Sequence, residues 1–206
     1  MPEIAAGFEA GVERFRREAF PPRAELFRRL ATTHTPNALF IGCSDARVVP
    51  ELITQREPGE LFVIRTAGNL VPAYGQGADG IAASIEYAVN ALGVADIVVC
   101  GHSACGAMTA LASGTDMSSL PATADWLRHA DSSQALLDAF QQGEERIAAL
   151  IRFNVATQLT HLRTHPSVAR ALARDALTLH GWVYDIGSGR VEALDTAAGA
   201  PARQAA

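Results

Sequence analysis

The chain has no lysine: all 17 of its basic residues are arginine. Chemistry that needs an ε-amine, such as Schiff-base formation, is thereby excluded. Cysteine is scarce and odd in number, three in 206 residues, which makes a poor disulfide framework and fits a reducing cytoplasm where thiols serve a metal or a reaction. Aromatic residues are few and none interleaves with a basic run, and the net charge of −5 argues against a phosphate-tracking surface. Nucleic acid is therefore not an expected partner. No apolar run reaches the roughly 18 residues of a membrane span, since the longest candidate, 81–101, is interrupted by Glu86, Asn90 and Asp96. Glu3, Glu9, Glu13 and Arg14 stand where an export signal needs an unbroken apolar core. Neither a membrane nor secretion is expected.

What remains is 49% hydrophobic and 19% charged, the profile of a globular protein. We read a single domain over 1–206, with a helical arm at 1–33 and a frayed Ala-rich tail at 197–206. The arm carries Phe8, Val12 and Phe15, then Leu26, Phe27 and Leu30, at helical spacing on either side of Pro21-Pro22. It is expected to pack on a neighbouring subunit as readily as on its own core. Short apolar runs at 38–42, 61–65 and 95–100 read as buried strands, and the apolar face of 81–92 as the helix between the last two. The fold class is α/β, a parallel sheet with right-handed crossovers and helices on both faces. Helices are expected at 106–113, 126–140 and 144–164, with a short one after Pro166. A strand at 177–186, the turn Gly187-Ser188-Gly189 and a return at 190–194 form a C-terminal edge hairpin.

Two strand ends stand out. The run at 38–42 finishes in Cys43-Ser44-Asp45-Ala46-Arg47, and the run at 95–100 empties into His102-Ser103-Ala104-Cys105-Gly106. Ligand sites of parallel sheets gather beyond the carboxyl ends of the strands. Two thiolates and one imidazole suit Zn2+, and three protein ligands leave one position open for water, as in catalytic sites. Asp45 and Arg47 are close enough in sequence to orient and ionise one another beside that metal. The chemistry is metal-assisted hydration: the ion lowers the pKa of its water, and zinc-bound hydroxide attacks an electrophilic carbon. Two thiolates neutralise part of the charge, so activity is expected to rise toward alkaline pH. Gly75-x-Gly77-x-x-Gly80 imitates a dinucleotide fingerprint, but it lies about ten residues past its strand and reads as loop glycines. His161 and His165 read as a solvated helix end, and Cys100 as a buried structural thiol.

Cys43-x-Asp45-x-Arg47, Arg65-x-x-x-Asn69 and His102-x-x-Cys105 together resemble the β-class carbonic anhydrases, and look closest to the bacterial branch associated with cyanate metabolism. The resemblance implies a lyase that reversibly hydrates CO2 to bicarbonate on zinc held by Cys43, His102 and Cys105, with Asp45 and Arg47 as the catalytic pair. In some members the carboxylate matching Asp45 swings onto the metal and closes the site. A substrate pocket is implied at His34, Phe62, Gly106 and Tyr87, the last resembling a residue supplied across a dimer interface. His34 falls where the family often has Gln, Ala46 where it has Ser and Thr66 where it often has Asn. Phe40 replaces the Trp of members with a regulatory bicarbonate site, so that regulation is not expected. The assembly implied is a homodimer, or a tetramer or octamer built from it. Two other readings are a zinc hydrolase of CS2 or COS and a structural-zinc module, against which Asp45 and Arg47 argue.

Overall fold

The computed structural model describes residues 2–75, 79–139 and 143–195. Two compact units divide the chain, Met1–Thr35 and Pro36–Ala206. In the first, α1 (Pro2–Arg14) runs through a π-helical turn, Phe15–Ala19, and a 3-10 turn, Pro21–Arg23, into α2 (Ala24–Leu30). The break falls at Pro21 and Pro22, which have no amide hydrogen to carry the ladder on. Phe15, Phe20 and Phe27 close this bend, with ring centroids 5.3 to 6.1 Å apart. Phe8 and Val12 are exposed, so the apolar stripe of α1 is not used up within its own unit.

The second unit is built on a five-stranded sheet ordered β2-β1-β3-β4-β5. Its strands are β1 (Ala38–Cys43), β2 (Leu61–Thr66), β3 (Asp96–His102), β4 (Thr178–Tyr184) and β5 (Val191–Leu194). The first four pair in parallel and β5 returns antiparallel on β4. Between them lie α3 (Pro50–Thr54), α4 (Gly80–Glu86), α5 (Gly106–Ser113), α6 (Pro121–Leu127), α7 (Asp131–Gln134), α8 (Glu144–Thr164) and α9 (Pro166–Leu172). The chain leaves β1 to one side for β2 and then crosses to the other side for β3. Strand order thus reverses between β1 and β3, the point beyond whose carboxyl ends open α/β sheets carry their ligands.

Alternation along the strands sends Leu39, Ile41, Ile97, Val99 and Leu179 to one face, against Val155, Leu159 and Leu162 of α8 and Val168 of α9. Gly101 and Gly181 let α8 come close: a Cβ at either would lie 2.9 Å from a side-chain carbon of the helix. On the other face Phe40, Val98 and Cys100 pack with Leu61, Val63, Trp182 and Tyr184, all of them strand residues.

The helix expected at 126–140 is instead a chain of short turns, from α6 through Arg128–Ala130 and α7 to Ala135–Ala139. Carbonyls there are taken by side chains: Arg146 donates to Leu137 O at 2.7 Å, and Gln158 to His129 O at 3.4 Å. Phe140, Gly77 and the tail at 197–206 lie outside the described residues.

Candidate metal centre

Cys43 ends β1, His102 ends β3, and Cys105 is the N-cap of α5. Their sulfur and nitrogen ligand atoms all lie within 4.8 Å of one another and all three residues are buried. Tetrahedral Zn2+ with bonds of about 2.3 Å to sulfur and about 2.0 Å to nitrogen sets its ligand atoms roughly 3.5 to 3.8 Å apart, which this cluster can meet. The donors fit in a second way. His102 Nδ1 lies 2.9 Å from Ser103 O, and a carbonyl only accepts, so the proton sits on Nδ1 and the Nε2 lone pair is free. Nε2 is buried with no hydrogen-bond partner among the described residues. An orphaned acceptor beside two thiols is what a soft-to-borderline cation would complete.

Electrostatics agree with the donor set. The Cys43 thiol is driven well below its ordinary value, chiefly by a hydrogen bond from Cys105 and against burial, with His102 and the amides of Asp45 and Gly68 adding to the effect. Cys105 is pushed up by the same bond and by burial, against the amides of Met108 and Ala107 at the start of α5. One hydrogen bond between the two thiols thus lowers Cys43 and raises Cys105, and the Arg47 guanidinium lies close enough to both to be stabilised by them. Burial works against a charged His102 ring, but Cys43, Ser103 and Asp45 together outweigh it and raise its value.

Asp45 sits on the turn after β1, closed by Val48 N donating to Asp45 O at 3.0 Å. Its Oδ1 accepts from the Arg47 amide and Nε, both at 2.9 Å, and its Oδ2 from Arg47 Nη2 at 2.6 Å. This fork holds the carboxyl well below the usual carboxylate range. Oδ2 also lies 3.9 Å from His102 Nε2, so the ionised oxygen faces the cluster. Arg47 reaches on to Ala104 O at 3.2 Å.

A scan of family profiles matches residues 38–191 to one described as carbonic anhydrase. The Pseudomonas aeruginosa carbonic anhydrase is 61% identical over 189 residues, 91% of this chain and 86% of that protein. Carbonic anhydrase 1 of Escherichia coli O157:H7 is 55% identical over 199 residues, 96% of this chain and 89% of that one. The structure of the β-carbonic anhydrase CcaA superposes with a TM-score of 0.90 at 42% identity, covering 94% of this chain and 96% of that one. The chain belongs to the β-class carbonic anhydrase family. Tetrameric β-carbonic anhydrases of Sordaria macrospora are also similar, with a TM-score of 0.75 at 30% identity over 93% of this chain and 94% of theirs.

Within this β-carbonic anhydrase fold, Cys43, Asp45, Arg47, His102 and Cys105 are brought together, and Gly106 opens α5 directly after Cys105. Phe62 and Tyr87 are not brought there. They pack on each other, ring centroids 6.1 Å apart, but Phe62 pairs with Leu39 whereas Thr66 pairs with Cys43. Four residues of strand put about 13 Å between those positions. His34 is an exposed residue of the first unit. The expectation of a solvated helix end at His161 and His165 is corrected: His165 is 2% exposed. The two rings donate to Val71 O at 2.8 Å and Pro72 O at 3.0 Å.

The sequence gives Arg65 a place in a motif but no role; its Nε donates to Cys43 O at 3.0 Å and its Nη2 to Asp45 O at 2.6 Å. A charge ending a buried strand was the available signal; what could not be read was that Arg65 pairs with Gly42. Asn154 was missed. Fully buried on α8, it donates to Gly68 O at 2.9 Å and ties down the loop whose amide favours the Cys43 thiolate.

Proposed function

We propose that this chain catalyses the zinc-dependent, reversible hydration of CO2 to bicarbonate and a proton, as a cytoplasmic enzyme of the bacterial branch associated with cyanate metabolism. The observation that carries the reading is the convergence of Cys43, His102 and Cys105 next to a carboxylate locked by Arg47. The carbonic anhydrase relatives support it, and three free cysteines suit a reducing compartment. A zinc ion on these ligands supplies the Lewis acidity that makes water a nucleophile near neutral pH.

The rest falls to the chain itself. Asp45, kept ionised by Arg47, can only accept, so a water approaching the cluster is oriented with a hydrogen toward Oδ2 and a lone pair away from it. With both oxygens held by Arg47, Asp45 serves as an acceptor and not as a ligand. Arg65 fixes the backbone beneath both Cys43 and Asp45, so ligand and acceptor keep one spacing. A Cβ built on Gly106 would meet nothing within 4 Å, which supports room there for a small linear molecule.

Tyr87, with Phe62 packed on it, is taken to reach such a pocket from a second copy of the chain, so the reading includes a homodimer, or a tetramer or octamer of dimers. Half-exposed Tyr87 and the exposed Phe8 and Val12 support that assembly, as does the tetrameric state of the Sordaria relatives.

Stopped-flow CO2 hydration with zinc analysis tests the reading. Asp45→Ala is expected to keep its zinc and lose the activity. Undiminished turnover would remove Asp45 from the mechanism, and a zinc-loaded wild type that does not hydrate CO2 would remove the function.

A further inference from the structure

We propose that Ser103 and Asp185 form a clamp by which the C-terminal hairpin fixes the orientation and tautomer of His102, making both of them positioning residues for the metal ligand. The inference deepens the reading above and rests on His102 being a zinc ligand.

The acceptor that keeps the proton on His102 Nδ1 is the carbonyl of Ser103, the next residue in the chain. A backbone carbonyl aims a ring only if its own residue cannot turn, and Ser103 is held on every side. Its amide donates to Tyr184 O, the last residue of β4, at 2.9 Å. Its hydroxyl oxygen accepts from the Ile186 amide at 2.9 Å, next in the chain to Asp185, and the Ser103 hydroxyl is among the groups that hold the Asp185 carboxyl below its ordinary value, after Ser188. Asp185 is fixed in turn. Its Oδ1 accepts from Ser188 N at 2.8 Å and Ser188 Oγ at 2.6 Å, and its backbone exchanges bonds with Arg190 O and Gly189 N. Gly189, at φ 72°, allows that turn to close.

The residue after Ser103 shows what the clamp holds in place. Ala104 is left-handed at φ 53°, a conformation that a non-glycine residue keeps only where its surroundings over-determine it. Ser103 anchors the bend on one side, and Cys105, as N-cap of α5, ends it on the other. Four residues thus carry two ligands, and their path is set from the hairpin. Partners of a ligating histidine's other nitrogen set ring orientation and basicity, and their loss costs about 10- to 100-fold in metal affinity. Here the immediate partner is backbone, so the mutable part of that effect lies one bond further out, at Ser103 and Asp185.

The test is chelator competition on the purified full-length protein, with zinc and with cadmium. Wild type is expected to bind one zinc per chain and Cys43→Ser to lose it. Ser103→Ala and Asp185→Ala are expected to bind zinc about 10- to 100-fold more weakly, with a smaller loss for thiophilic cadmium, which leans on the two sulfurs. Ser103→Thr, which keeps the hydroxyl, is expected to stay near wild type. The clamp is overturned if both alanine variants hold zinc as wild type does, or if zinc and cadmium affinities fall by one factor together with thermal stability. A wild type without zinc, or a Cys43→Ser variant that retains it, overturns the ligand assignment and the clamp with it.

Discussion

Replacing Gly101 with alanine puts a methyl carbon 2.9 Å from Val155 Cγ2 and 3.1 Å from Ile151 Cγ2, inside the contact distance of about 3.5 to 4.0 Å. Both neighbours are β-branched residues of α8 with one favoured rotamer, so helix or strand must move. Such overpacking costs about 1–3 kcal/mol, and alanine's advantage over glycine within a strand offsets about 0.5–1 kcal/mol. The net is about 0–2.5 kcal/mol, or at most roughly 10 °C in Tm for a chain of this size. Val155→Ala alone removes two methyl groups and costs roughly 2 kcal/mol. In the double variant the new methyl occupies the emptied space, so the two costs should fail to add, with a coupling of about 0.5–3 kcal/mol. Gly181→Ala is a second case: it would meet Leu159 Cδ1 at 2.9 Å, the end of a rotatable side chain, and Val155 Cγ1 at 3.1 Å, so Val155→Ala should relieve it too. The assay is thermal unfolding of zinc-loaded protein at one fixed concentration, because metal and assembly both shift apparent stability. Strict additivity of Gly101→Ala and Val155→Ala would refute the claim that this close approach is why glycine precedes His102.

The Asp45 carboxyl is depressed by Arg47, so the pair's stabilisation is present above the unfolded value of about 3.9 and is lost only as pH falls through the lower folded value. The carboxyl carbon resonance of Asp45 should therefore stay flat from pH 7 to about 3 and titrate in the ordinary range in Arg47→Ala; a wild-type midpoint near 4 contradicts this. Removal of the residues before Pro21 should lower the oligomer mass seen by light scattering, and an unchanged mass would deprive the arm of its role in assembly.

The cluster was legible because its chemistry is crowded into two short stretches at strand ends. Cys43, Asp45 and Arg47 are local to one turn, and His102 and Cys105 to another. In a parallel sheet, apolar runs alone place such stretches at one edge. The strands and α8 were legible for the same reason, since burial writes a period into the sequence. Arg65, Ser103, Asp185 and Asn154 were not, because their roles depend on which backbone atom they meet, and that follows from register and from the closeness of α8. The broken path from Arg128 to Ala139 was hidden likewise: apolar spacing there looks helical, while its carbonyls bond to side chains 9 to 29 residues away in sequence.

Cys43 and His102 stand at the ends of β1 and β3, hydrogen-bonded neighbours that pair up to Gly42 and Cys100 and lie about 4.8 Å apart. Cys105 alone is carried by a helix, through the bend at Ser103 and Ala104. Were a metal held here, two of its ligands would sit on a stiff two-strand baseline and the third would depend on the bend that Ser103 anchors, so that the hairpin, far from the sheet's centre, would set how long the ion stays.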